Sequence, residues 1–308
     1  MRTRVPDPRR RAYLLFGLVA TLAPFACHPG NAEAKRLIDA CESGSAPACN
    51  QLGVKLLAGE FVLRDDGRAA SVFKKACDGG VGDGCTSLGQ MHQQGRGVKT
   101  DSALIPRLHQ QGCELGAMPG CTRLGALHLR GLVVPRDTVR AVALFTQACD
   151  RGELTGCANL GALYATGAGV SQDVPRAATL LRRSCDAKVP LGCFGLGRLH
   201  ALGSGVQQND SIAAALFKQS CDGDDVAACF QLAVLHENGS SIPQNFQRAA
   251  ELYRQACQRN FAEACYNMAL MYDRGAGVFR QPERATALKR RACELGHTPA
   301  CPPPARTS

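Results

Sequence analysis

Sixteen of the seventeen cysteines fall into eight pairs of one spacing, C-x7-C, and the pairs recur every 36 residues without a single slip. They are Cys41 and Cys49, Cys77 and Cys85, Cys113 and Cys121, Cys149 and Cys157, Cys185 and Cys193, Cys221 and Cys229, Cys257 and Cys265, and Cys293 and Cys301. Thiols so placed can hold a soft metal or oxidise to disulfides. Zinc sites usually set paired ligands about two to four residues apart. The seven-residue gap does not fit, and there is no C-x-x-C-H haem attachment sequence. Even pairing points to disulfides and an oxidising compartment. Closing so short a loop removes unfolded-chain entropy worth about 2–3 kcal/mol per bridge.

Other reactive side chains form weaker patterns. Ser71-Val72-Phe73-Lys74 matches the S-x-x-K element in which a base activates a serine. The accompanying S-D-N is missing, and Lys99-Thr100-Asp101 is not K-T-G. Ser71 and Lys74 are therefore the only, weak, catalytic candidates. His92, His128, His200 and His236 all stand 15 residues after the first cysteine of a pair, where other copies have Tyr164 and Tyr272. Two ligands of one zinc must each lie about 2 Å from it, whereas packed helices are about 8–10 Å apart. Tyrosine in the same slot indicates packing with a polar tip, and no metal or cofactor is expected. No phosphate loop, H-E-x-x-H motif or recurrent carboxylate pair occurs. The balance is against an enzyme.

The 36-residue period makes each pair the joint between stacked units. Positions are counted below from the first cysteine of a unit. Apolar residues at +11, +14 and +15 have helical spacing. Glycine at +18, from Gly59 to Gly275, marks the end of this helix A. The residue at +12 is small throughout, as if another helix passes close by. Val or Ile at +21 is placed to plug the space between helices. A helix B follows, with Ala at +28 in most copies and Leu or Val at +31, and runs into the next cysteine. The second copy departs most, with Ile105 for the usual Ala and His109 for the usual aromatic, so its helix B is expected to be distorted.

The ends read differently. Residues 1–27 form a sorting segment: Arg9-Arg10-Arg11 precedes a largely apolar stretch too short for a confident membrane span. Cys27, the unpaired cysteine, is either a lipid acceptor behind Ala26 or is removed with the signal. Export to the periplasm, an outer-membrane lipid anchor or secretion all fit. Residues 28–40 read as an N-terminal capping helix, 41–301 as seven units plus a terminal cysteine pair, and 302–308 as a proline-rich tail. The net charge is +10, of which the first 26 residues supply +4. The rest is spread out and not interleaved with aromatics, which argues against nucleic acid.

The pattern A-C-x-x-L-G-x-L-Y-x-x-G-x-G-V, then R-A-x-x-L-F-x-x-A-C, resembles Sel1-like repeats over about residues 31–301. The cysteine-paired form is similar to cysteine-rich secreted proteins of Helicobacter. The resemblance implies an all-α, right-handed α/α superhelix related to tetratricopeptide arrays. It implies an adaptor that assembles other proteins; the alternative, also from the resemblance, is a β-lactamase or a penicillin- or peptidoglycan-binding protein. Related eukaryotic proteins assist respiratory-complex assembly. Solenoids bind along a concave surface. The expected contacts there, with a protein or peptide, are Asn50, Arg123, Asn159, Gln231 and Asn267 near +10, and Arg130, Asn238 and Arg274 at +17. Membrane contact is expected only through a lipid anchor.

Overall fold

The computed structural model describes residues 29–239 and 242–301. The sorting segment with Cys27 and the tail 302–308 lie outside the described residues. Within them the chain is all-helical. A lone helix α1 (Pro29–Glu42) precedes seven A/B pairs. The A helices are α2 (Ala46–Ala58), α4 (Gly82–Gln94), α6 (Met118–Arg130), α8 (Leu154–Thr166), α10 (Pro190–Leu202), α12 (Val226–Asn238) and α14 (Ala262–Arg274). The B helices are α3 (Asp66–Asp78), α5 (Leu104–Glu114), α7 (Thr138–Asp150), α9 (Val174–Asp186), α11 (Asp210–Asp222), α13 (Phe246–Gln258) and α15 (Pro282–Glu294). A short 3-10 turn, Thr298–Ala300, follows. Each helix packs on the next in sequence, as in a Sel1/tetratricopeptide solenoid.

Local chemistry sets the boundaries. Asp65, Asp137, Asp173, Asn209 and Asn245, all at +24, accept from the backbone N–H three residues on and so start B helices. Every A helix ends on the +18 glycine in the left-handed region, with φ between 61° and 72°. The +21 residues, such as Val62, Val170 and Ile242, are half-buried against the core, where the sequence places them.

Packing explains the small residue at +12. Phe73, Phe145 and Phe217 of the B helices pack against it and are essentially fully buried. A Cβ on Gly53, Gly125 or Gly197 would stand 2.6–2.8 Å from these rings. Burying each ring contributes about 1.5–3 kcal/mol.

Disulfides close every joint between units, in the pairing that the spacing leads one to expect. Cys41 is bonded to Cys49, Cys77 to Cys85, Cys113 to Cys121 and Cys149 to Cys157. Cys185 is bonded to Cys193, Cys221 to Cys229, Cys257 to Cys265 and Cys293 to Cys301. The Cα separations are 4.4–4.8 Å, so each bridge ties the last turn of one helix to the start of the next element. The second cysteines, Cys49, Cys85, Cys121, Cys157, Cys193, Cys229 and Cys265, all lie in the first turn of an A helix and are buried there.

The second unit differs as anticipated. Helix α5 has 11 residues where the other B helices have 13; Asp101 at +24 still accepts from the N–H groups of Ala103 and Leu104, but the helix starts only at Leu104. Pro106 is the cause. A helix begun at the usual position would place this proline in its second turn, against the carbonyl four residues earlier; begun at Leu104, it falls in the first turn, where proline is tolerated. At +20, Gly169 has φ 75° and a Cβ there would meet Thr138 at 2.7 Å; Gly97 is similarly pressed on Asp66. After α5, which starts two residues late, the position is Val133, with φ 57°, and in the first unit it is Phe61, with φ 61°. Gly97→Ala should therefore lower thermal stability by about 2 kcal/mol or more, from both the clash and the positive φ. Val133→Gly should change it by about 1 kcal/mol or less, since relieved strain offsets the looser unfolded chain. Thermal melts of the two variants check this contrast.

Candidate protein-binding groove

Successive A helices touch directly (α4 with α6, α6 with α8, α8 with α10), and no two B helices come as close. The A helices are therefore the inner rank of the curve and the B helices the outer. The closest approach is α8 to α10. Beside it Gly195 of α10 packs closely on α9, where a Cβ would stand 2.5 Å from Leu181. A cleft of about 120 Å³ lies here, floored by Ala162, Ala165 and Leu199 and flanked by Arg198 and Leu202. Leu202 is 68% exposed, and the Arg198 guanidinium lies 5.9 Å from the Phe194 ring centre.

The residues singled out from sequence divide into two groups. Arg130, Asn238 and Arg274 are exposed at the ends of α6, α12 and α14. The rest are half-buried. Arg123 sits deep enough that burial pulls its guanidinium below the usual value, with Glu153 opposing. Asn159 donates to the Thr155 carbonyl of its own helix at 2.8 Å. Asn267 hydrogen-bonds the Tyr253 phenol, which also donates to Glu237 at 2.7 Å. Burial first, and then Glu237, push that phenol's pKa far up. Asn50 needs correction: it stands at +9, one place before the strip, and its Oδ1 is buried without a partner. Recurrent polar positions do not lead to Arg198 and Leu202; an apolar side chain where neighbouring units are polar was the available signal.

The catalytic candidates do not form a site. Ser71 and Lys74 are exposed on the outer helix α3, and Lys74 is held by Asp78 at 2.6 Å. Three of the four +15 histidines serve the loops, whereas His236 Nδ1 is buried without a partner. His92, His128 and His200 each donate from Nδ1 to the carbonyl seven residues on, at 3.1, 3.4 and 3.2 Å. In the tyrosine copies the ring instead meets an arginine, Arg176 at 4.5 Å from Tyr164 and Arg284 at 5.9 Å from Tyr272. Among the described residues no three His, Cys, Asp or Glu side chains are grouped to hold a metal. Nor is any helix there long and apolar enough to cross a membrane.

Stacked helical hairpins with one inner face and a disulfide at every joint define an α/α solenoid of the protein-scaffold type. Seven stretches, 46–81, 82–104, 119–153, 155–189, 190–225, 226–261 and 262–297, match the Sel1 repeat. They cover more than half of the chain, which belongs to the Sel1 repeat family. The chain is similar to a protective antigen of uropathogenic Escherichia coli displaying an SLR fold, with 30% identity, TM-score 0.58 and coverage of 86% of this chain and 57% of that one. It thus spans little more than half of that antigen's length. A Sel1 repeat protein from Oxalobacter formigenes is 24% identical, with TM-score 0.62 and coverage of 87% and 77%. Helicobacter pylori cysteine rich protein B is 24% identical over 44% of this chain and 97% of that one, with TM-score 0.35. No curated protein matches the sequence. The family match and the eight bridges bear out the cysteine-paired Sel1-like reading. So many disulfides belong to an oxidising, non-cytoplasmic compartment.

Proposed function

We propose that the protein is an exported adaptor of the bacterial envelope that holds another polypeptide along the inner face of its A helices. The observation that carries the reading is the cleft between α8 and α10, where an exposed leucine stands beside Arg198, which forms no ion pair among the described residues, on a disulfide-stiffened frame. A stiff groove lowers the ordering cost of binding, arginine is enriched at interface hot spots, and the exposed leucine beside it offers apolar surface to bury. Arg123, Asn159, Gln231 and Asn267 extend the same face, with Arg130, Asn238 and Arg274 at its rim. The N-terminal segment supports export, with Cys27 as the lipid-anchor position.

Oxidised protein immobilised through its C-terminus should capture a defined set of envelope proteins. Arg198→Glu combined with Leu202→Ala should reduce that capture at least about ten-fold, the loss of roughly 1.4 kcal/mol or more. Arg182→Ala on the outer helix α9 should leave it unchanged. Equal capture by all three proteins would remove the groove from the account.

A further inference from the structure

The exact period allows every outer groove between consecutive B helices to be compared with the others. Each is bordered by +33 of one B helix and by +27 and +34 of the next. The five earlier grooves carry at most two cations at these positions. The last, between α13 and α15, carries arginine at all three: Arg254, Arg284 and Arg291.

A second departure lies beside the first. The residue after the first cysteine of a pair is Asp or Glu in every unit but one, where it is Gln258. In α3 and α11 that acid neutralises the cation one turn earlier, in the Lys74–Asp78 and Lys218–Asp222 pairs, both at 2.6 Å. Arg254 occupies the same register as those lysines, and its acid has been replaced by a neutral amide. None of the three arginines forms an ion pair among the described residues. Arg284 reaches the Tyr272 hydroxyl at 3.4 Å, and Arg291 donates to Asn260 Oδ1 at 3.0 Å.

These arginines and Gln258 line one cavity of about 290 Å³ whose floor is apolar, with Met268, Ala287 and Leu288. Like charges gathered around a cavity repel one another unless an anion enters. A guanidinium offers a planar fork matched to carboxylate or phosphate oxygens. Small-molecule sites join an apolar floor to a few convergent polar groups at volumes from about 300 Å³ upward. We propose that the cavity between α13 and α15 binds a small organic oxyanion, its carboxylate or phosphate head held by Arg254, Arg284 and Arg291 and its short apolar body lying on Met268 and Leu288. The site faces away from the inner groove and is independent of what the groove holds.

Calorimetric titration of the oxidised protein with octanoate, octyl phosphate, 1-octanol and inorganic phosphate tests this. At least one of the two amphiphilic anions should bind ten-fold or more tighter than both octanol and inorganic phosphate, and the tighter one identifies the head group. Gln258→Glu, which restores the acid found in the other units, should weaken that binding at least five-fold without moving the melting temperature. Arg254→Gln should do the same, and Arg182→Gln, in the groove between α9 and α11, should have no effect. Binding of octanol or inorganic phosphate as tight as that of both amphiphiles, or an affinity unmoved by Gln258→Glu and Arg254→Gln, would overturn the proposal.

Discussion

Reduction of the disulfides should unfold the array without denaturant. Each closes a loop of seven intervening residues, and the chain-entropy model assigns about 2.5 kcal/mol to a loop of that size. Eight such terms come to about 20 kcal/mol, more than the roughly 5–15 kcal/mol by which ordinary domains are stable. Little else replaces them. The paired helices have 11–13 residues, too short to persist alone in water. The chain has no Trp, and much of its buried surface is alanine. Circular dichroism of the reduced protein should show loss of most of the helical signal, with recovery on reoxidation. Single bridges should be graded by position, because each unit touches only its neighbours. Replacing Cys149 and Cys157 together by alanine weakens the middle of the array and should cost about 2–3 kcal/mol. The same change at Cys293 and Cys301 frees only the terminal turn and should cost less.

The second large effect concerns His109. It occupies the slot of Phe73, Phe145 and Phe217, beside Gly89 as those rings lie beside their glycines. It is fully buried, and neither ring nitrogen has a hydrogen-bond partner. Burial, with a smaller contribution from Arg123, lowers its pKa from 6.5 to about 4. The folded protein therefore keeps this imidazole neutral while the unfolded chain protonates it. The contribution to stability is full above about pH 6.5, falls as the pH drops from there towards about 4, and is flat below. The shift corresponds to about 3 kcal/mol. His109→Phe should abolish this part of the acid sensitivity. It should also raise stability at neutral pH by about 1–3 kcal/mol, because an unpaired polar ring is exchanged for an apolar one. Melting temperatures of both proteins across that pH range give the test: the curves should diverge as the pH falls. Parallel curves would mean that His109 is hydrated or paired in solution.

Much of this architecture was legible because a repeat supplies its own controls. Cysteine spacing located the joints, glycine at +18 the helix ends and the small residue at +12 the close packing. Even the irregular unit was visible in Ile105 and His109. Its cause, Pro106, needed the position of the helix start, and the positive φ of Val133, shared by Phe61 in the first unit, is not visible in the sequence. The groove was harder to read. Asn50 falls one register step away from the strip it resembles, and Leu202 is an exception that a search for regularity does not find. Gln258 is the opposite case: its meaning is plain in the sequence only once Arg254, Arg284 and Arg291 are known to surround one cavity. The residues before 29 lie outside the described structure, so Cys27 rests on sequence alone.

Peptide mapping of the native protein by mass spectrometry, without reduction and with free thiols blocked, tests the central claim most directly. The stapled solenoid predicts eight linked pairs, each joining cysteines eight positions apart, from Cys41 with Cys49 at one end to Cys293 with Cys301 at the other. Blocked thiols at these positions, or links between distant units, would contradict it.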